Sequence, residues 1–268
     1  RSWRKDFYEP YKANRKVLLD QRSVKEQEDD ELFFESYNDM INFFDNRTNC
    51  TVIQQENAEA DDLIATWIQE HPEDKHVIVS TDSDFYQLIA DNVIQYNGTT
   101  DQIVTLDGFT NAKTGDPVID KKTGEPKPPV NPEFILFEKC VRGDTSDNIF
   151  SAYPGARLKG TRNKTGITEA FKDRHNGGYD YNNFMLQRWV DHEEQEHRVK
   201  DDFQRNQLLI DLTAQPEDIK QQSKTIVQEA VNQEPKTQVG IYFMKFCAKW
   251  NLQRMSDNPN DYAEFLNG

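Results

Sequence analysis

The apolar positions change period several times along the chain, and each change marks an element. Ser23-Val24-Lys25-Glu26 has the spacing of a capping box, which opens a helix. Its apolar stripe is Phe33, Tyr37, Met40, Ile41 and Phe44. Residues 51–55 read as a short strand. A helix over 60–70 turns Leu63, Ile64, Trp67 and Ile68 inward and stops at His71-Pro72. Val77-Ile78-Val79-Ser80 is a short β-branched run, the signature of a buried parallel strand. Residues 84–90 predict a short helix and 92–96 another strand. The alternation to about residue 106 predicts a parallel sheet with helices on its faces. Lys113-Thr-Gly-Asp-Pro117 recurs as Lys122-Thr-Gly-Glu-Pro126, favouring a surface hairpin insertion over a substrate-contacting loop. Asn131-Pro132 caps and starts a helix that Gly143 closes. Beyond 148 the periodicity is helical, over 183–209, 216–232, 239–250 and 257–266, with no strand. The expected fold is α/β: a central, mainly parallel sheet flanked by helices over 1–148, then a helical region over 149–268.

Composition changes this picture little. Hydrophobic residues make up 35%, which is low, but 16 Phe, 10 Tyr and 4 Trp argue for a packed core. No apolar run reaches the roughly 20 residues of a membrane span, and the charged start Arg1-Ser2-Trp3-Arg4-Lys5 is no signal segment. Three scattered cysteines, Cys50, Cys140 and Cys247, fit reduced thiols in an intracellular protein and neither a disulfide framework nor a zinc cluster.

Charge changes it more. The net charge of −15 argues, as an average, against a nucleic-acid partner. Yet residues 1–20 carry six basic and three acidic side chains, and residues 156–174 carry six and two. Between these islands, residues 21–62 carry three basic and twelve acidic ones. A function must account for both signs.

Three acidic clusters carry candidate chemistry. Glu59-Ala60-Asp61-Asp62 opens a helix. Asp82-Ser83-Asp84 lies at the carboxyl end of the Val77–Ser80 strand, where parallel sheets place ligand sites. Gly143-Asp144-Thr145-Ser146-Asp147-Asn148 follows a helix end. Asp82 and Asp84, two apart, share one side of extended backbone, and Asp144 and Asp147, three apart, share one side of a helical turn. Seven carboxylates, Glu59, Asp61, Asp62, Asp82, Asp84, Asp144 and Asp147, need counter-charge to share a crevice. Hard divalent ions supply it; all-oxygen donors favour Mg2+ or Mn2+, and a pair of ions is the usual device for phosphodiester hydrolysis.

These clusters, as Glu59-Ala-Asp-Asp62, Ser80-Thr-Asp-Ser-Asp84 and Gly143-Asp-Thr-Ser-Asp-Asn148, resemble the motifs of the 5′ nuclease family of flap endonucleases and 5′–3′ exonucleases. Leu208-Leu-Ile-Asp211 and Ile241-Tyr-Phe-Met-Lys-Phe246 are similar to its T-even phage ribonuclease H branch. Tyr8-Glu-Pro-Tyr-Lys-Ala-Asn-Arg15 resembles the family's arch-entry segment, within an arch over 1–30. The resemblance implies that Lys12 and Arg15 contact the scissile phosphate, with Tyr11 beside them on the nucleic acid. It implies two Mg2+ ions, with Mn2+ as the substitute. The implied substrates are DNA duplexes, RNA–DNA hybrids and 5′ flaps, and the activity is removal of RNA primers in phage DNA replication. The implied setting is the cytoplasm of an infected host, with replisome partners such as a single-strand-binding protein or a sliding clamp and with no membrane.

Two features depart from the family pattern. Its first-strand and later-strand aspartates lie ahead of the segment matching Arg1, so the chain is expected to lack about the first quarter of a complete enzyme. The usual Gly-hydrophobic-Gly turn that binds duplex backbone is also missing, and only Gly155 stands near its place. Arg157, Lys159, Arg162 and Lys164 lie beside it and are expected to hold the duplex through a helix–turn–helix in the C-terminal region.

His192 and His197 are five apart, whereas a His-Glu-x-x-His metal site needs four, and they read as solvated. No phosphate-binding loop or nucleophile elbow is present. Two rival readings remain: a non-catalytic nucleic-acid-binding relative of the same fold, and a calcium-binding protein, whose twelve-residue loop pattern no segment follows.

Overall fold

The computed structural model describes residues 2–268. In chain order the helices and strands are α1 (Trp3–Phe7), α2 (Ala13–Asp20), α3 (Val24–Arg47), α4 (Ala60–Glu70), β1 (His76–Val79), β2 (Val93–Asn97), β3 (Gln102–Thr105) and β4 (Gly108–Asn111). There follow α5 (Pro132–Arg142), α6 (Ile167–Asp173), α7 (Tyr179–Met185), β5 (Arg188–Val190), β6 (Glu196–Arg198), α8 (Val199–Ile210), α9 (Glu217–Val231), α10 (Val239–Lys249), α11 (Gln253–Asp257) and α12 (Asn260–Asn267). Short 3₁₀ turns cover Ser83–Leu88 and Arg174–Asn176. Among the described residues no helix is long and apolar enough to cross a membrane.

The chain forms two compact units, Arg1–Asn14 with Asn57–Lys220, and Arg15–Glu56 with Gln221–Gly268. The expected boundary at 148 falls inside the first unit. The reason is packing: Phe137, Cys140, Val141, Ile149 and Ala152 share one core with Ile167, Phe171, Phe184, Val199, Phe203 and Leu209.

In the first unit the sheet runs β1-β2-β3-β4. β1 and β2 are parallel, with His76 opposite Val93 and Val79 opposite Tyr96. β2–β3 and β3–β4 are antiparallel, so the expected mainly parallel sheet is a mixed one. Local chemistry explains the reversal. Asn97 Oδ1 accepts from the amides of Thr99 and Thr100, and Asp101 takes φ 51°, so the chain turns back with no room for a crossover helix. Residues 51–55 carry no strand. β1 buries Ile78 at 6% exposure while Val77 and Val79 stay exposed.

The repeated Lys-Thr-Gly-acid-Pro phrase folds as two like turns, with Gly115 at φ 76° and Gly124 at φ 74°. Bridges Thr110–Pro117 and Ile119–Pro126 make it the expected surface hairpin.

Residues 183–209, expected as helix, divide into the end of α7, the β5–β6 hairpin and α8. The Asp191 carboxylate accepts from the amides of Glu193 and Gln195, and Glu194 sits at φ 64°, which builds the hairpin turn. His197 is therefore not solvated. It stacks on its cross-strand partner Trp189 (4.3 Å, 13°) and lies 3.1 Å from both Asp191 and Asp202.

In the second unit α3 opens with the expected capping box at Ser23. The far end of α3 buries Phe43 against Val239, Phe243 and Cys247 of α10 and Leu266 of α12. Phe33, Phe34, Tyr37 and Met40, around its middle, are exposed.

Candidate active site

All seven candidate carboxylates fall in the first unit, beyond the carboxyl end of β1 and at the ends of α4 and α5. The loop after β1 is held from beneath by Gln95 on β2, fully buried, whose Nε2 donates to the carbonyls of Ser80 (2.9 Å) and Asp82 (2.8 Å). Asp82 then caps the Ser83–Leu88 turn, its Oδ1 accepting from the Asp84 amide at 2.9 Å.

The Asp144–Asn148 loop depends on Gly143, which ends α5 at φ 72°. A Cβ there would clash with the backbone of Ile149 and Phe150. The loop closes by paired bonds between Asp144 and Ile149 (2.7 and 2.8 Å). The segment 10–14 binds alongside it. The Lys12 amide, at φ 53°, donates to Asp147 O at 2.8 Å, and Asn148 Nδ2 donates to Pro10 O at 2.7 Å.

Lys12 thereby reaches the acidic group. Its ammonium lies 2.8 and 2.9 Å from the two Glu59 oxygens and 3.6 Å from Asp147 Oδ2. Tyr11, expected on the nucleic acid, is 2% exposed. Its hydroxyl lies 2.8 Å from Glu59 Oε2 and 3.1 Å from Asp147 Oδ2 and donates to one of them at a time. Burial and these carboxylates push its pKa up. Tyr11 is an internal support for Glu59 and Asp147 and not a stacking surface.

Asp62, expected as a metal ligand, is corrected as well. It is fully buried, and both oxygens are occupied. Arg4 Nη1 and Nη2 donate to them at 2.8 and 2.7 Å, Trp3 Nε1 at 3.2 Å, Gln215 Nε2 at 3.3 Å and the Glu59 amide at 3.0 Å. Arg4 Nε also donates to Leu209 O at 2.8 Å. This buried pair ties α1 to the start of α4 and so sets Lys12 against Glu59.

Asp61, one residue earlier, faces the other way. Burial, with Asp82, Glu59 and Asp84 near it, pushes its carboxyl up to about 6. Asp84 is raised by burial against the pull of Lys139. Asp144 goes the other way: burial would raise it, but hydrogen bonds from Lys139 and Ser146 hold it at about 2.

Lys139, on α5, was not expected in the site. Its ammonium forms ion pairs with Asp84 and, at 2.8 Å, with Asp144. A signal was present: it stands in the last turn of α5, where a cation suits the helix dipole, five residues before Asp144.

Six carboxylates and two lysines thus form one charge-coupled group. Among the described residues no set of three or more His, Cys, Asp or Glu side chains is disposed to hold a metal ion. The donor chemistry nevertheless fits a hard cation, because the donors are all carboxylate oxygens and Asp61, with Asp82, Glu59 and Asp84 near it, keeps an excess of negative neighbours that Lys12 offsets only in part.

Arg15 lies exposed on α2 and belongs to the second unit. Arg157, Lys159, Arg162 and Lys164 are all exposed on the loop between α5 and α6. That loop is ordered by Glu169, whose Oε2 accepts from the amides of Gly160 (2.9 Å) and Gly166 (3.0 Å), and by paired bonds between Thr161 and Lys164.

Comparison with known proteins bears on the family and the fold. The family described as 5′-3′ exonuclease, N-terminal resolvase-like domain, matches residues 1–115. A DNA polymerase I of Rhizobium leguminosarum is 29% identical over 175 residues, which is 65% of this chain and 14% of that polymerase. Two bacteriophage T5 structures share the fold at 20% identity and a TM-score of 0.58. One is a protein co-crystallized with metal ions; the other is a flap endonuclease in a pseudo-enzyme-product complex with DNA and metal ions. They cover 87% of this chain and 83% and 81% of their own. Sequence and fold point the same way: residues 1–115 are similar to the 5′-3′ exonuclease N-terminal family, and the fold is shared with the T5 structures.

Proposed function

We propose that the first unit hydrolyses phosphodiesters at or near the 5′ ends of duplexes and 5′ flaps with the help of divalent ions. The observation that carries this is the meeting of three acidic segments with Lys12 beyond the end of β1. Glu59, Asp61 and Asp82 would hold an ion, with Asp84, Asp144 and Asp147 at the second end of the group. A bound ion supplies Lewis acidity toward water and the phosphate oxygens; Mg2+ is the ion we assign, in a pair, with Mn2+ as substitute.

The chain's own residues do the rest. Lys12 stabilises charge on the phosphate once a divalent ion satisfies Glu59. Tyr11 keeps Glu59 and Asp147 oriented by its hydroxyl. Arg15, in the second unit, is assigned to substrate phosphate. Arg157, Lys159, Arg162 and Lys164 hold the duplex backbone away from the reacting bond. The T5 flap endonuclease was seen with DNA, and its fold is the one found here. The finer reading is removal of RNA primers from RNA–DNA hybrids during phage replication, alongside single-strand-binding and clamp proteins.

The test uses flap duplexes labelled at the 5′ or the 3′ end, with Mg2+. Short labelled products from the 5′ end alone, lost with EDTA and slowed about 10²-fold or more in Lys12→Ala, are expected. Products that shorten from the 3′ end, or a Lys12→Ala rate equal to wild type, would overturn the reading.

A further inference from the structure

Lys139 is the feature of the site that the hydrolytic reading leaves unused. It extends from α5 to bridge two acidic segments that are far apart in sequence, Asp84 after β1 and Asp144 after Gly143. Its side chain is 22% exposed, and those of its partners are 27% and 13% exposed, so the three groups are largely shielded from water. A shielded ammonium between two carboxylates occupies the place, and supplies the charge, that a hard cation would need there.

The two lysines of the group differ in what they leave behind. Lys12 pairs with Glu59 and Asp147 from a short segment bound to the same loop. Lys139 links the β1 loop to the end of α5, its one ammonium reaching both Asp84 and Asp144. Without it the two carboxylates would repel each other.

We propose, resting on the divalent-ion reading above, that Lys139 is a cation placeholder. In the ion-free protein its ammonium holds Asp84 and Asp144 together, and an ion that binds this pair must first displace it. Lys139 is then a positioning residue that keeps the ion-free site assembled and weakens ion binding by competing for the same oxygens.

The test is Mn2+ binding, followed by electron paramagnetic resonance on chelator-stripped protein, together with melting in EDTA. Lys139→Met should bind Mn2+ at least about threefold more tightly than wild type, because a competing positive charge is gone. It should also melt lower in EDTA, and added Mn2+ should recover more of its melting temperature than that of wild type. Lys139→Arg should melt like wild type in EDTA and gain no affinity. Lys139→Gln, which keeps a hydrogen-bond donor but no charge, serves if the methionine variant does not fold, and the same gain is expected. Wild-type binding with unchanged or weaker affinity in both neutral variants would overturn the placeholder alone. Absence of Mn2+ binding in wild type and variants together would overturn the divalent-ion reading and the placeholder with it.

Discussion

Asp61 and Asp62 are adjacent, and opposite surroundings give them opposite roles. Asp62 is enclosed by Arg4, Trp3, Gln215 and a backbone amide. Asp61 faces three other carboxylates and is pushed up to about 6. The folded protein therefore keeps the Asp61 proton to about pH 6, whereas the unfolded chain loses it near 3.8. Between those values the folded state binds more protons, so stability falls as pH rises, and the full deficit is present above pH 6. Asp61→Asn should remove the deficit. In EDTA at pH 7.5 it should stabilise the protein by about 1–2 kcal/mol, allowing for the carboxyl's partial contact with water. The gain should fade as pH drops from 6 toward 4, and the same variant should lose Mn2+ affinity. Urea unfolding at pH 4.5 and 7.5 checks both the size and the sign.

At the scale of elements, the site depends on what joins them. α1 is only five residues long, too short to be stable alone, and Arg4 anchors it to α4 and to the end of α8. Breaking a buried pair by removing one partner leaves an unpaired charge, so Arg4→Met should cost about 3–5 kcal/mol. A denaturant midpoint unchanged from wild type would show that α1 is held some other way.

Much at this scale was legible in sequence. The capping box at Ser23, the Asn131-Pro132 start and the Gly143 stop all form as read, because caps and glycines act through neighbouring residues alone. What was not legible depends on distant partners. Nothing local distinguishes the buried Asp62 from the half-buried Asp61, since Arg4 and Gln215 are 58 and 153 residues away. Lys139 enters the site only because α5 passes the β1 loop. The mixed sheet turned on a side-chain-capped turn at Asn97, and the β5–β6 hairpin on Asp191, where apolar periodicity carries no signal.

At the scale of the molecule, the proposed function requires a chain of net charge −15 to meet a polyanion. The acidic group would bind cations, and the exposed basic loop 157–164 offers phosphates the opposite sign. Arg162→Ala with Lys164→Ala should weaken binding to all duplex sequences alike. The slope of log affinity against log salt should fall by about two, near one for each cation removed from a phosphate. Turnover at saturating substrate should change less than in Lys12→Ala. A salt titration with unchanged slope and affinity would leave this loop a solvated one.

Under the proposed function the acidic group performs the chemistry and other residues hold the substrate. Single-turnover cleavage of a 5′-labelled flap duplex in Mg2+ by Asp82→Asn, with binding measured on the same duplex, tests it most directly. Removing an ion ligand removes Lewis acidity and leaves the phosphate contacts in place. The cleavage rate should fall by about 10³-fold or more while affinity stays within about threefold. Cleavage by Asp82→Asn at the wild-type rate would contradict it.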